Sequence, residues 1–386
     1  MIRNIFFGYL LISLLACASA ISTPPVTLLL GDEQLDSYLP LLQGKNTGLC
    51  VNHTSLLSNG THLVDTLLSL GIRLTAVYTP EHGFRGTADA GELIENQNTN
   101  ETFRIESLYG KNKKPSPEML QGIEVMVFDI QDVGARFYTY ISTMHYVMEA
   151  CAEQNIPIII LDRPNPNGHY TDGPILDTAF HSFVGMHPIP VVHGLTTGEL
   201  ARMINGEGWL TGGRTADLTV VPMQNWTHQT AYSLPVKPSP NLPNDQSIAL
   251  YPSLCFFEGT VLSVGRGTSS PFQVVGHPEM EGDYAFVPDS TFGAKSPKLK
   301  GEHCRGKSFA DTKPANQLDI SYLITAYQVF NQKNLPFFTN YFNTLAGTDQ
   351  LRKQIEAGMD ESQIRASWQP GLEQYKALQK QYVLYP

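Results

Sequence analysis

The sequence lacks the short motifs of several large enzyme classes. It contains no G-x-G-x-x-G, G-x-x-x-x-G-K-[ST], G-x-S-x-G or H-E-x-x-H pattern, which disfavours dinucleotide, nucleotide, serine-hydrolase and zincin chemistry. Cysteine is scarce, with 5 in 386 residues, and no Cys-x-x-Cys or Cys/His spacing is typical of zinc. We therefore expect no cofactor and no metal ion.

The sequence has fewer positively than negatively charged side chains. The chain has 26 Lys and Arg against 36 Asp and Glu, which gives a net charge of −10. This balance argues against nucleic acid or an anionic membrane surface as the main partner. A negatively charged substrate would therefore need a local cluster of arginine or histidine.

The sequence also lacks an apolar run long enough to cross a bilayer near its start. The apolar stretch of residues 5–15 is shorter than the roughly 20 residues that a spanning helix needs. Arg3 precedes it and small residues follow, which is the layout of a secretory signal. Residues 18–20 offer a small-x-small cleavage site, whereas Leu14-Leu15-Ala16-Cys17 resembles a bacterial lipobox, the route that we favour. We predict a signal peptide at residues 1–20 and an exported protein, either periplasmic or anchored to a bacterial membrane by a lipid on Cys17.

What the sequence does contain, from residue 26 to about 222, is an alternation of apolar runs and helical spacing. Strands are predicted at Val26–Leu30, Thr47–Val51, Ile72–Tyr78, Val125–Asp129, Ile156–Asp162, Ile189–His193 and Asp217–Val221. Helices are predicted at Leu63–Leu70, at Tyr140–Gln154 and after Thr196, where Glu199 completes a capping box. Apolar strands that alternate with helices indicate a parallel sheet covered on both faces.

The length favours two domains, since single cores stop growing at roughly 250–300 residues. Prolines crowd residues 235–243 in the manner of an interdomain linker. We predict an α/β sheet domain over residues 22–236 and a smaller α+β domain over residues 237–386. In the second domain, helices are expected at Leu318–Phe330 and at Thr348–Tyr382, the latter interrupted at Pro370.

Charged or amide side chains follow five consecutive predicted strands. They are Asn52 with His53 and Thr54, Glu81 with His82, Asp129 with Asp132 and Arg136, Asp162 with Arg163, and His193. Each has an ordinary structural interpretation on its own, because carboxylates cap helices and aspartates form turns. Ligands of open α/β sheets bind at the carboxyl ends of the strands, so this concentration predicts a binding or catalytic crevice.

The second domain offers further candidates. Asn241 lies in a proline-stiffened loop, and Glu258 and Arg266 lie on glycine-rich loops, although turn geometry alone also explains these glycines. Tyr138 belongs to an aromatic run that suits either a hydrophobic core or stacking on a sugar ring.

Six segments together resemble one known family. They are Pro80–Gly86 (PEHGFRG), Ser107–Gly110 (SLYG), Phe128–Tyr140 (FDIQDVGARFYTY), Leu161–Pro166 (LDRPNP), Pro238–Pro243 (PSPNLP), and Glu258–Thr260 (EGT) with Gly265–Thr268 (GRGT). In this order they are similar to the DUF1343 family, which is associated with exo-β-N-acetylmuramidases of the NamZ type. The resemblance covers nearly the whole chain after the signal, and the Phe128–Tyr140 motif is its most specific part.

The resemblance implies a Rossmann-like N-terminal domain without a bound dinucleotide, a smaller C-terminal domain, and a site in the cleft between them. It also implies release of N-acetylmuramic acid (MurNAc) from the non-reducing end of peptidoglycan fragments, in cell-wall turnover and recycling. Carried over by position, Glu81 is the expected catalytic acid.

Glycosidic cleavage needs a proton for the leaving oxygen and stabilisation of an oxocarbenium-like transition state. His82 is a candidate to orient Glu81, and Asp129 is a candidate to raise the pKa of Glu81. The 2-acetamido group of the sugar can itself act as nucleophile, in which case Asp129, Asp132 or Glu258 would polarise it or activate water.

The lactyl carboxylate of MurNAc gives a reason for arginines, and Arg136, Arg163 or Arg266 could bind it bidentately. We further expect Asn52, Asp132, Tyr138, Asp162, His193, Asn241 and Glu258 to contact the substrate.

Two other functions fit the same sequence. One is a non-catalytic periplasmic sugar-binding protein that uses the same cleft. The other is a metal-dependent hydrolase built on Asp129, Asp132 and Asp162.

Overall fold

A six-stranded parallel sheet organises the fold of the computed structural model, which describes residues 27–80 and 103–386. Its strands are β1 (Thr47–Val51), β2 (Leu74–Thr79), β3 (Arg104–Ser107), β4 (Val125–Asp129), β5 (Ile158–Leu161) and β6 (Leu218–Val221). They lie in the order β3-β2-β1-β4-β5-β6, and every neighbouring pair is parallel. This confirms the predicted α/β class. The strand order is that of a Rossmann-like fold, and its direction reverses between β1 and β4.

Helices cover both faces of the sheet. On one face lie α1 (Leu35–Leu42) and α2 (Leu63–Ser69), and on the other lie α3 (Tyr140–Gln154) and α4 (Thr197–Gly206). Alternate residues of β4 enter the two cores: Val125 and Val127 pack with α1 and α2, and Met126 and Phe128 pack with α3 and α4. Side chains of a strand point alternately to its two faces and both faces are covered, so β4 is apolar from Val125 to Phe128.

The C-terminal part is smaller and mixed in structure. It contains α5 (Asp245–Leu254), the antiparallel strands β7 (Val274–His277), β8 (Tyr284–Phe286) and β9 (Cys304–Ser308), and the helices α6 (Ser321–Gln332), α7 (Phe342–Ala346), α8 (Gln350–Glu356) and α9 (Glu361–Gln379). The three strands lie in the order β7-β9-β8. One hydrophobic cluster runs from Phe128 in the parallel sheet to Phe342 and Trp368. The two parts therefore share a continuous core.

One predicted strand is wrong. Residues 189–193 form no strand of the parallel sheet, and Val192 instead makes isolated bridges to Ala135 and Asp172. Pro190 has no N–H to donate to a ladder, and proline is confined to edges and bulges for that reason. His193 therefore does not end a sheet strand. Of the predicted Val26–Leu30 strand, Val26 lies outside the described residues and Leu29 pairs only with Gln224.

The interruption predicted at Pro370 is also wrong, because Pro370 lies inside α9. A proline in a helix interior removes one hydrogen bond and costs about 3 kcal/mol. Packing offsets this cost: Ile364, Trp368, Leu372 and Tyr375 form a buried stripe along one side of α9.

Within residues 27–80 and 103–386, no helix has the length and apolar character needed to cross a membrane. The four cysteines of this part, Cys50, Cys151, Cys255 and Cys304, are buried free thiols. They behave as small core side chains.

Candidate functional site

Four of the predicted groups follow strands of the parallel sheet in sequence, at its carboxyl edge. Glu81 and His82 lie outside the described residues. Asn52 follows β1, Asp129 ends β4, and Asp162 with Arg163 follows β5. The structure therefore brings three of the four groups to one edge, on either side of the point where the strand order reverses.

Arg163 is fully engaged within the protein. Its Nη2 donates to Asp129 Oδ2 at 2.8 Å and to Asp32 Oδ2 at 2.7 Å, and its Nε donates to Asp129 Oδ1. All three side chains are buried. Burial raises the pKa of Asp32 to about 7, although Arg163 opposes that shift. These contacts favour a structural ion cluster over a catalytic Asp129 or a substrate clamp on Arg163.

Asn52 and Thr79 leave buried polar groups without partners at neighbouring strand ends. Asn52 Oδ1 accepts from the backbone N–H and the hydroxyl of Thr54, at 2.9 and 2.6 Å. Asn52 Nδ2 and Thr79 Oγ1 are buried and have no hydrogen-bond partner within the described ranges. An unpaired buried donor costs about 1–3 kcal/mol. Such groups are therefore available to a ligand or a water at this edge.

Asp132 and His193 form a second buried pair. Asp132 Oδ2 accepts from the N–H of Gly134 at 2.7 Å and lies 3.9 Å from His193 Nε2. The Leu195 N–H donates to His193 Nδ1 at 3.2 Å, so the neutral ring carries its proton on Nε2. Burial raises the pKa of Asp132 to about 7 and lowers that of His193 to about 3.

Arg136 joins the two parts of the protein. Its guanidinium is buried and donates to the carbonyl oxygens of Pro174, Ile189, Leu345 and Ala346. The last two carbonyls belong to the C-terminal turn of α7, where a cation is favourable. These contacts do not favour the predicted carboxylate clamp, because Arg136 binds backbone oxygens of both parts instead.

Asp162 is likewise used inside the fold. Its Oδ1 accepts from the N–H of Gly198 at 2.7 Å and its Oδ2 accepts from the Thr196 and Tyr385 hydroxyls at 2.7 and 2.6 Å. Burial raises the pKa of Asp162 to about 6 against the lowering effect of these donors. The carboxylate caps the N-terminus of α4, so its contacts favour a structural role over substrate binding.

The predicted groups of the second domain converge on a cleft of about 180 Å³ between the two parts. Its polar lining includes Asn241, Glu258 and Arg266. Its apolar walls are aromatic: Phe137, Tyr138, Tyr140, Tyr251 and Phe272. The rings meet edge to face, with Tyr138 and Tyr251 centroids 5.8 Å apart and those of Tyr251 and Phe272 4.9 Å apart.

Glu258 and Arg266 form an ion pair with two hydrogen bonds on the wall of this cleft. Arg266 Nε donates to Glu258 Oε1 at 2.9 Å and Nη2 donates to Oε2 at 2.8 Å. The guanidinium carbon lies 4.9 Å from the centre of the Phe272 ring. Burial alone would raise the pKa of Glu258, but Arg266 outweighs it and the pKa lies below its usual value. Glu258 is therefore ionised, and the two side chains remain 25% and 28% exposed.

The loop of residues 238–241 fixes the opposite wall. The Tyr138 hydroxyl donates to the carbonyl of Pro238 at 2.7 Å, and Asn241 Nδ2 donates to the carbonyl of Gly293 at 2.8 Å. Pro238 and Pro240 limit the backbone of this loop. Tyr138 and Asn241 are thus held rigidly beside the cleft.

The sequence did not identify several residues of the cleft. Tyr251, Phe272, Ser239 and Tyr341 line it, and Lys298 braces it by donating to the carbonyl oxygens of Phe257, Glu258 and Thr260. Their signal was weak because aromatic residues are most often core residues.

A wider groove of about 570 Å³, near Asn167, Tyr232 and Asp245, contains none of the predicted site residues.

The parallel sheet and its strand order define a Rossmann-like α/β protein. The aromatic cleft between its two parts suits a small polar ligand. Residues 47–246 match the family description "Exo-beta-N-acetylmuramidase NamZ, N-terminal", and residues 249–385 match "Exo-beta-N-acetylmuramidase NamZ, C-terminal". The chain therefore belongs to the NamZ exo-β-N-acetylmuramidase family.

Three individual relatives support this family assignment. The chain is 40% identical over 377 residues to the peptidoglycan β-N-acetylmuramidase NamZ of Bacillus subtilis (strain 168), which covers 92% of this chain and 90% of the relative. It is also similar to a DUF1343 family protein of Bacteroides fragilis NCTC 9343 with a crystal structure at 1.30 Å. That match has a TM-score of 0.84 and 45% identity, and covers 93% of this chain and 99% of the other. A second DUF1343 structure from the same organism has a TM-score of 0.81 and 29% identity, and the match covers 94% of this chain and 100% of the other.

Proposed function

We propose that this protein is an exo-acting glycosidase that releases MurNAc from the non-reducing end of peptidoglycan fragments. The observation that carries the proposal is family membership over both halves of the chain, together with a relative of 40% identity that is a peptidoglycan β-N-acetylmuramidase. Fold alone would not support an activity, because Rossmann-like sheets host many chemistries.

The cleft suits one terminal sugar. Its volume of about 180 Å³ is below the roughly 300–1,000 Å³ of sites that enclose drug-sized ligands. Its aromatic walls can stack on the C–H face of a pyranose ring, while Asn241 and the Glu258–Arg266 pair offer polar contacts. An enzyme that encloses a single sugar removes residues from the chain end.

Arg266 is the arginine that we assign to the lactyl carboxylate. Arginine has five N–H donors, and the two bonds to Glu258 use one each on Nε and Nη2. In the described part of the chain, Nη1 has no acceptor. Arg136 and Arg163, by contrast, are buried among internal partners. Arg266 is therefore the candidate that lines the cleft and keeps free donors, and a carboxylate bound there would separate MurNAc from N-acetylglucosamine (GlcNAc).

Glu81 remains the proposed proton donor, with His82 as its neighbour. In sequence, Glu81 lies two positions after Thr79, the last residue of β2 at the carboxyl edge of the sheet. The unpaired Asn52 amide and Thr79 hydroxyl of that edge could bind substrate. With Asp129 and Arg163 bound to each other, the second group is better sought in the ionised Glu258 or in the 2-acetamido group of the sugar.

The metal-dependent alternative receives no support from the three aspartates on which it depends. Asp129 binds Arg163, Asp132 accepts from Gly134, and Asp162 caps α4. Among the residues that the structure describes, no group of three or more His, Cys, Asp or Glu side chains could hold a metal ion.

We also propose that the protein is exported, as a periplasmic protein or as a lipoprotein anchored through Cys17. The support is the charged, apolar and small-residue layout of residues 1–20. We further propose that the chain is divided into domains at residues 22–236 and 237–386. Mass spectrometry of the mature N-terminus tests the export route.

The direct test of the activity is incubation with the disaccharide MurNAc-β-1,4-GlcNAc. We expect the wild-type protein to release both monosaccharides, and Glu81→Gln to lower the rate by about 10²–10⁴-fold, the usual contribution of a general acid, with unchanged thermal unfolding. Wild-type protein that binds the disaccharide without cleaving it would establish the sugar-binding alternative. Full turnover by Glu81→Gln would remove Glu81 as the acid.

A further inference from the structure

Phe292 is the most exposed large hydrophobic side chain of the described residues, at 60% exposure. A single exposed apolar residue is ordinary on a protein surface. The position of Phe292 is not ordinary, because the loop that carries it is fixed to both sides of the cleft.

The Phe292 loop, residues 288–297, is closed by a tight turn. Thr291 and Ala294 exchange two backbone hydrogen bonds, at 3.1 and 3.0 Å, around Phe292 and Gly293. Gly293 has φ +87°, and a Cβ there would lie 2.4 Å from Pro240 Cβ. This position therefore requires glycine, since a side chain would be strained and would collide with Pro240.

Two further bonds attach the loop to the cleft. The Gly293 carbonyl accepts from Asn241 Nδ2 at 2.8 Å, and Asn241 lines the cleft. At the start of the loop, the Asp289 N–H donates to the carbonyl of Gly267 at 2.9 Å, next to Arg266. The backbone of Phe292 is thus held at the rim of the site on both sides.

We propose that Phe292 is a stacking platform for the sugar on the leaving-group side of the scissile bond, which is GlcNAc in the proposed substrate. This inference rests on the proposed function. A cleft of about 180 Å³ encloses the terminal sugar, so the rest of the glycan must lie at the rim. An exposed ring on a braced backbone offers an apolar face there at little entropic cost, and pyranose C–H faces pack on aromatic rings.

The variants Phe292→Ala and Phe292→Tyr test the platform, with Leu41→Ala on α1 as a control at another exposed apolar position. Two substrates are compared: MurNAc-β-1,4-GlcNAc and methyl β-MurNAc, which has no leaving-group ring. Aromatic contacts contribute about 0.5–1.5 kcal/mol. We therefore expect Phe292→Ala to lower the kcat/KM ratio of disaccharide to methyl glycoside by about two- to tenfold, mainly through KM. Phe292→Tyr and Leu41→Ala should keep the wild-type ratio.

An unchanged ratio in Phe292→Ala, or equal losses on both substrates, would overturn the platform. Saturation-transfer NMR with the intact disaccharide separates this failure from failure of the proposed function. In the Glu81→Gln background, or in wild-type protein if that proves inactive, Phe292→Ala should lose saturation at the GlcNAc protons and keep it at the MurNAc protons. Retained GlcNAc signals contradict the platform whether or not the protein is an enzyme.

Discussion

Glu258 holds Arg266 by two parallel hydrogen bonds, Nε to Oε1 at 2.9 Å and Nη2 to Oε2 at 2.8 Å. The carboxylate neutralises the guanidinium overall but occupies only two of its five donors. The more important effect of Glu258 is that it orients the Arg266 guanidinium. The pair fixes the plane of the guanidinium beside Phe272, so that the directions of its remaining donors are fixed as well.

Arg266→Ala should lower the preference for muramyl over glucosaminyl substrates. A hydrogen bond to a charged group contributes about 1.5–3 kcal/mol, so the ratio of the two kcat/KM values should fall about 10- to 100-fold. Arg266→Lys should recover only part of it, because lysine cannot present a planar fork. The measurement is the rate on MurNAc-β-1,4-GlcNAc against that on chitobiose. Arg73→Ala, an exposed arginine that bonds Asn46, is the matched control, and a ratio unaffected by Arg266→Ala would exclude the clamp.

Arg136→Ala should act on stability instead of specificity. It leaves the carbonyl oxygens of Pro174, Leu345 and Ala346 without a donor, whereas that of Ile189 keeps the Leu176 N–H. Each unsatisfied buried group costs about 1–3 kcal/mol, so the free energy of unfolding should fall by at least about 3 kcal/mol. Denaturant unfolding measures the loss, and Arg136→Lys, which retains some of the donors, should lose less. A change in the muramyl to glucosaminyl ratio in the Lys variant would instead point to substrate contact.

Asp132 and His193 should give opposite pH dependences of stability. The folded pKa of Asp132 is raised from 3.8 to about 7, so its contribution makes folding less favourable as pH rises between those values. The folded pKa of His193 is lowered from 6.5 to about 3, so its contribution makes folding less favourable as pH falls through that window. Between about pH 4 and 6.5 the two slopes oppose each other.

Each single variant should reveal the slope of the remaining partner. Relative to wild type, Asp132→Asn should gain stability as pH rises from 4 to 7, and His193→Gln should gain it as pH falls from 6.5 to 3. The difference is at most about 1.4 kcal/mol per pH unit. Urea unfolding at several pH values checks both, and stability curves parallel to that of the wild type would contradict the shifted pKa values of Asp132 and His193.

The sequence predicted the parallel sheet well because apolar runs in a doubly covered sheet leave a strong local signal. Val125–Asp129 and Tyr140–Gln154 have the predicted bounds. β3 (Arg104–Ser107) went unpredicted, since two of its four residues are charged. Residues 189–193 carry the same apolar signal as a strand, but Pro190 prevents ladder pairing.

The roles of the polar groups were harder to predict, because their partners are distant in sequence. Asp162 meets Tyr385, which is 223 positions away, and Arg163 meets Asp32, which is 131 positions away. Local spacing contains no information on such pairs. It therefore could not separate Arg136 and Arg163, which are buried among internal partners, from Arg266, which lines the cleft.

The contact between Asp162 and Tyr385 has a consequence for how the chain folds during synthesis. Asp162 ends the β5 region and caps α4, yet one of its hydrogen bonds comes from the second-last residue of the sequence. The Leu384 N–H likewise donates to Glu199 in the first turn of α4 at 2.7 Å. Domains usually fold one after another as the ribosome releases them. Here the parallel-sheet part, although made first, completes its packing only after residues 384 and 385 have emerged.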